Sequence, residues 1–139
     1  MIEYHYQTDF ELENPIEYTD WIIKCVEELG GRAGPINYIF CSDEDLLKVN
    51  QDYLGHDEYT DIITFQYEAE PFISGDIYIS VDRVQENSQT FKEGFPKEIK
   101  RVMIHGVLHL LGYGDKTDHE KEEMRSRESE LINLFHVKH

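Results

Sequence analysis

His105 and His109 stand four residues apart in an apolar run, Val102-Met103-Ile104 before them and Val107-Leu108-Leu110-Leu111 between and after. Four residues of α-helix turn through about 400°, so both imidazoles leave the same face, one turn apart. A single metal ion can accept a nitrogen from each. Gly112 breaks the helical pattern, and Tyr113-Gly114-Asp115 reads as a turn that swings a carboxylate back over the pair. One histidine on an apolar face is ordinarily a core residue bonded to a carbonyl. Two at helical spacing, followed by glycine and a carboxylate in a turn, read as a metal site. The candidate ligands are His105, His109 and Asp115. His119 is the other residue the chain can bring to the ion, although it falls inside the Thr117-x-x-Glu120 capping box of a following helix. Three protein ligands leave a position for water, which is the catalytic arrangement. One zinc ion suits His/His/Asp best, and manganese or nickel would also be held.

Written as His-x3-His-x2-Gly-x2-Asp, the stretch is similar to the elongated zinc motif of metzincin-type peptidases, with two differences. Gly106 follows the first histidine where those enzymes carry a glutamate general base, which counts against peptidase chemistry. Asp115 takes the place of a third histidine.

The elements that must hold these residues belong to one domain, residues 1–139. A chain of this length buries roughly two thirds of its surface on folding. Nine Tyr, seven Phe and 40% hydrophobic residues supply a core. No 18-residue apolar run and no basic-then-apolar leader occurs, so a cytoplasmic protein without a membrane segment is expected. Cys25 and Cys41 form no CxxC pair and are expected as buried free thiols. The net charge of −16 is uneven: residues 1–70 carry three cations against 17 carboxylates, residues 71–139 ten against 12. A general nucleic-acid binder would be basic, so only a local patch can meet phosphates, with Lys92, Lys97, Lys100, Arg101 and Lys116 as its candidates.

Along the chain, Ile2–Gln7 alternates as a strand. Asn14-Pro15 opens a helix as cap and N1 proline, with Ile16, Trp21, Ile22, Val26 and Leu29 as its apolar stripe and Gly30-Gly31 as its stop. Residues 36–41 are a second strand. Ser42-x-x-Asp45 caps a short helix that buries Leu46, Leu47 and Val49. Residues 62–67 and 75–80 are strands expected to pair as a hairpin across Glu68–Ser74. A helix runs from Asp82, the metal helix starts at Phe95-Pro96, and Thr117 caps a last helix with Met124, Leu131 and Leu134 on its apolar face. The tail His136–His139 is expected to fray. The sum is an α+β fold, a small four-stranded mixed sheet covered by about five helices, with the metal helix central.

Three blocks carry a family resemblance. HGVLHLLGYGD at 105–115 resembles the HGxLHLxGYDH signature of the YbeY family. Asn50-x2-Tyr53 with Asp57-x2-Thr60-Asp61-Ile62-Ile63-Thr64-Phe65 is similar to that family's N-x2-Y-R-x2-D-x2-T-D-V-L-S-F, and Ser74–Ser80 to its LGDIxIS strand. The match spans most of residues 40–130. It implies a small α+β domain with one metal in a cleft. It also implies a metal-dependent, single-strand-specific endoribonuclease that matures ribosomal RNA, including the 16S 3′ end, and serves ribosome quality control. Implied partners are single-stranded RNA and the ribosome or its small subunit. The implied reaction is attack of a metal-activated water on a phosphodiester.

Two positions depart from the family pattern. Asp115 stands at the third histidine, with Gly114 at the preceding aspartate, so the ligand set is more anionic and acidifies bound water less. Leu54 stands at the arginine after the tyrosine, which removes a cation for a substrate phosphate; His56 lies two positions on. Asp61 and Asp76 are candidates for a general base, His119 for a proton donor, and Tyr59, Phe95 and Tyr113 for base stacking. An assembly factor with a metal site but no cleavage is the alternative, with a protein partner supplying basic surface.

Overall fold

In the computed structural model, residues 1–67 and 71–136 are described. Strand β1 (Ile2–Tyr6) lies parallel to β2 (Ala33–Cys41), β2 lies parallel to β4 (Ile73–Ser80), and β3 (Ile62–Gln66) runs antiparallel on the outer side of β4. The order is β1-β2-β4-β3, a mixed sheet as expected. Ile62 opposes Ile79 and Gln66 opposes Gly75, so β3 and β4 form the expected hairpin; residues 68–70 of its connection lie outside the described residues. Among the described residues five α-helices accompany these strands: α1 (Pro15–Glu28), α2 (Asp43–Leu54), α3 (Val81–Phe91), α4 (Phe95–Leu110) and α5 (Asp118–Asn133), with a 3₁₀ turn at Leu134–His136.

The two-residue period of the strands sorts their side chains between unequal faces. Tyr4, Tyr6, Ile36, Tyr38, Phe40, Ile77 and Ile79 meet α1, α4 and α5 in the main core. The rings of Tyr4, Tyr6, Tyr38 and Phe40 stack at 5.6–6.5 Å between centroids. The opposite face holds a smaller cluster, Cys41, Leu46 and Ile63, under α2. Burial pushes the Cys25 and Cys41 thiols up to about 12, so both are inert, as their apolar settings predict.

Helix α4 is the central element. Ile99, Met103, Ile104, Val107 and Leu108 are almost wholly buried, and the Tyr38 hydroxyl donates to the Met103 carbonyl at 2.9 Å. Gly106 sits against the sheet, where a Cβ would meet Ile77 Cγ2 at 2.8 Å and Ile62 Cδ1 at 3.1 Å. Absence of a side chain at that position lets α4 approach the sheet closely. Helix α5 is tied beneath by Trp21, whose indole N–H donates to the Leu131 carbonyl at 2.7 Å.

Several local expectations need correction. Ile16 is exposed, because the buried stripe of α1 runs through Tyr18, Trp21, Ile22, Cys25 and Val26, and position 16 falls off that face. Asn14 precedes the helix in a left-handed conformation (φ 55°) and makes no side-chain cap. Leu47 and Val49 are only half-buried; Leu46 and Asn50 form the buried side of α2. Strand β2 begins at Ala33, and α3 begins at Val81 because the Ser80 hydroxyl accepts from the Arg83 N–H. Ser42 and Thr117 cap as expected, Thr117 with the full reciprocal box through Glu120. Val137–His139 of the tail lie outside the described residues.

Candidate metal centre

The last two turns of α4 carry His105 and His109 into a cleft of about 530 Å³. Their Nε2 atoms approach to 2.9 Å. After Leu111, Gly112 takes a φ of 98°, and the Tyr113 N–H reaches back to the Leu108 carbonyl at 3.0 Å. That reversal needs glycine, since a side chain is strained at this φ. It delivers Asp115 Oδ2 to 3.4 Å from His105 Nε2 and 3.3 Å from His109 Nε2. The three donor atoms form a closed triangle. Donors about 2.0–2.1 Å from a tetrahedral zinc ion lie roughly 3.3 Å from one another, so the triangle has the dimensions of three coordination positions.

Each imidazole is oriented by its other nitrogen. His105 Nδ1 lies 2.6 Å from Glu128 Oε2, and His109 Nδ1 lies 3.0 Å from the Tyr113 carbonyl oxygen. A carbonyl only accepts, so Nδ1 of His109 carries the proton and its Nε2 presents a lone pair. With Glu128 ionised, the same holds for His105. The donor set and its tautomers therefore fit a metal ion at the shared apex. Glu128 is buried and held in turn by the Arg101 guanidinium at 3.0 Å. Burial pulls the His105 imidazole down, but the Glu128 carboxylate and then Asp61 and Asp115 outweigh it, and the net shift is upward. A proton and a metal ion thus compete for Nε2.

The other wall of the cleft comes from Thr60, Asp61, Ile62 and Thr64 around the start of β3, and its rim from α3 and α5. Burial raises the Asp61 carboxyl above the usual range, with His105 opposing. Glu98 lies on the α4 face that carries the histidines, seven residues before His105. Burial pushes it up to about 7, and its Oε1 has no hydrogen-bond partner among the described residues.

His119 is 89% exposed beside Glu123, away from the triangle. Asp76 alternates onto the α2 face of the sheet, where it accepts from the Asn37 amide, and it does not line the cleft. Leu54 and His56 are exposed and outside the cleft as well. Of the stacking candidates, Phe95 packs on Phe10 and Tyr59 donates its hydroxyl to Glu44; Tyr113 is half-buried against the core. Three of the five members of the candidate basic patch are drawn apart. Lys97 pairs with Glu93, Lys100 is buried with its ammonium 4.3 Å from the Phe135 ring centroid, and Arg101 is committed to Glu128. Gly114, at the signature's aspartate position, packs on the end of the Glu120 side chain: a Cβ would meet Glu120 Oε2 at 2.6 Å, so that carboxylate would have to move. Glu120 itself accepts from the Lys116 and Thr117 N–H groups, which holds its carboxyl below the usual range.

Sequence reasoning missed Glu128, Phe91, Lys121 and Arg125, all of which line the cleft. The Met124-x3-Glu128 spacing on the last helix places a carboxylate one turn after a core residue. That is the only local signal for Glu128.

A protein-family model described as Endoribonuclease YbeY matches residues 4–136. The chain belongs to the YbeY family. A YbeY-family relative from Flavobacterium psychrophilum, named Endoribonuclease YbeY, is 50% identical over 99% of both chains. One of the same name from Flavobacterium johnsoniae is 49% identical, again over 99% of each. In solution structure, a Thermotoga maritima protein is similar, with a TM-score of 0.68 and 28% identity over 97% of this chain and 89% of that one. The α+β domain expected from the YbeY resemblance is therefore the fold found. No helix among the described residues is long and apolar enough to cross a membrane.

Proposed function

We propose that this chain is a metal-dependent endoribonuclease that hydrolyses single-stranded RNA, with ribosomal RNA ends, including the 16S 3′ end, as substrate and the cytoplasm as its place of action. The observation that carries the reading is the convergence of His105 Nε2, His109 Nε2 and Asp115 Oδ2 at the floor of an open cleft. The names of the relatives support the same reaction class. Zinc is the ion assigned, on the His/His/carboxylate donor set. When bound, such an ion lowers the pKa of a water and polarises a phosphoryl oxygen.

The chain's own residues do the rest. Glu128 and the Tyr113 carbonyl hold both imidazoles in the tautomer that leaves Nε2 free. Asp61, in the cleft and made more basic by burial, is assigned to take the proton from the attacking water. The water oxygen bonds to phosphorus, the bond from phosphorus to the leaving ribose oxygen breaks, and that oxygen takes a proton from solvent. A peptidase reading has no support at position 106, because a glutamate there would collide with Ile77 and Ile62. One observation favours an assembly factor without cleavage: Leu54, at the position of the arginine in the family pattern, is exposed and supplies no cation for a phosphate.

Metal content and RNA cleavage measured on one preparation test these readings. Wild type is expected to hold about one zinc and to cut single-stranded RNA, and His109→Ala and Asp115→Ala to lose both. Metal retained without cleavage in wild type would transfer the conclusion to the assembly factor.

A further inference from the structure

Among the described residues, three cationic side chains line the cleft: Arg101, Lys121 and Arg125. Arg101 is buried and neutralised, 3.0 Å from Glu128 and 3.8 Å from Glu93. Lys121 and Arg125 differ. They are exposed, lie one turn apart on α5, and make no ion pair among the described residues. What sets these two apart is their place, since both stand unneutralised on one wall of the cleft in a chain of net charge −16. The third feature is Phe91, the last residue of α3. It lines the same cleft, is 52% exposed, and has the Arg125 guanidinium 5.9 Å from its ring centroid. Lys92, with a left-handed φ of 56°, ends α3 immediately after it, so the ring stands at a helix end on the rim.

Resting on the nuclease reading above, we propose that Phe91, Lys121 and Arg125 form the grip that seats a single RNA strand across the metal site. A base stacks on Phe91, and Lys121 and Arg125 hold phosphates beside the one that is attacked. An aromatic platform beside a cationic track is the physical requirement for binding unpaired strands. A duplex keeps its bases stacked inside and offers none to Phe91, so the grip selects single strands. It also answers the leucine at position 54: the cations for the phosphate backbone come from α5 rather than from the end of α2. Charge and ring contribute in separable ways. Each phosphate contact to a single strand adds about 0.7 to the slope of log affinity against log salt, whereas stacking adds affinity with little salt dependence.

The experiment is binding of a fluorescein-labelled single-stranded RNA 12-mer, followed by anisotropy over a salt series with EDTA present so that nothing is cut. The double variant K121A/R125A is expected to flatten the salt slope by about 1.4. F91A is expected to weaken binding about tenfold at every salt concentration with the slope unchanged, and R125K to keep most of the slope that R125A loses. All of these residues are exposed, and a melting curve checks that each variant is folded. Wild-type affinity and slope in K121A/R125A, or equal competition by duplex and single-stranded RNA, would overturn the grip. Cleavage of the same RNA with zinc is scored separately. Variants that behave as expected in a protein that cuts nothing uphold the grip and remove the nuclease reading; a wild type that cuts RNA but binds it independently of these residues does the reverse.

Discussion

Residues 1–70 carry 17 carboxylates against three cations, whereas residues 71–139 carry 12 against ten. The structure gives that asymmetry a meaning. The first part supplies β1, β2 and β3, the aromatic stack and α1 and α2, and among its described residues only Thr60, Asp61, Ile62 and Thr64 reach the cleft. The second part supplies all three candidate ligands, the carboxylate behind His105 and every cleft cation. Scaffold and chemistry are thus largely separate along the chain and meet where α4 lies on the sheet. Acidity spread over the scaffold surface repels a polyanion from the wrong faces, while the near-neutral part leaves one wall on which a phosphate chain can rest.

Because of this division, damage to the scaffold should lower stability and spare the metal triangle. Phe40→Ala is the largest test. Phe40 is fully buried between Tyr4, Tyr6 and Tyr38, so its loss should cost about 3–5 kcal/mol in a denaturant titration. The fraction that remains folded should bind zinc with wild-type stoichiometry. Loss of metal from folded molecules would show that the two regions are not separable.

Glu128→Gln acts from the other side. Gln still accepts from Arg101 but no longer anchors the His105 tautomer with a charge. Metal affinity in a chelator competition should fall about 10–100-fold. An unchanged affinity would reduce Glu128 to a packing residue.

The smallest effect concerns pH. Burial raises Glu98 from the usual 4.5 to about 7. Between those values the folded chain keeps a proton that the unfolded chain releases, so stability falls as pH rises. The contribution is complete below about pH 4.5 and lost as pH passes 7. Glu98→Gln removes this dependence. The variant should therefore gain on wild type by about 1 kcal/mol between pH 5 and pH 8, a figure reduced from the full shift because the cleft admits water. Thermal melts at the two pH values read it, and a constant difference would place Glu98 in ordinary solvent.

Much of this was legible in the chain. The strand patterns in 2–7 and 75–80, found as Ile2–Tyr6 and Ile73–Ser80, the cap at Thr117, the glycine break at 112 and the spacing of 105 and 109 all report neighbours within about one helical turn, and such patterns survive folding. The basic patch failed for an instructive reason. Lys97, Lys100 and Arg101 are adjacent in sequence, but the turn of α4 sends them to Glu93, to Phe135 and to Glu128 respectively. Asp76 failed through strand parity, which puts it on the face away from α4.

The histidine pair, the turn that carries Asp115 and the order of strands and helices are all readable from the residues in line, because helical and strand periodicity are properties of the local backbone. It takes the packed fold to bring Glu128, 23 residues beyond His105, behind its ring at 2.6 Å, and to set Phe91, Lys121 and Arg125 on a shared rim. Those meetings depend on how α3 and α5 pack against α4 over the sheet. Many surface glutamates and lysines in this chain carry the same local signal, and packing alone selects which of them face the cleft.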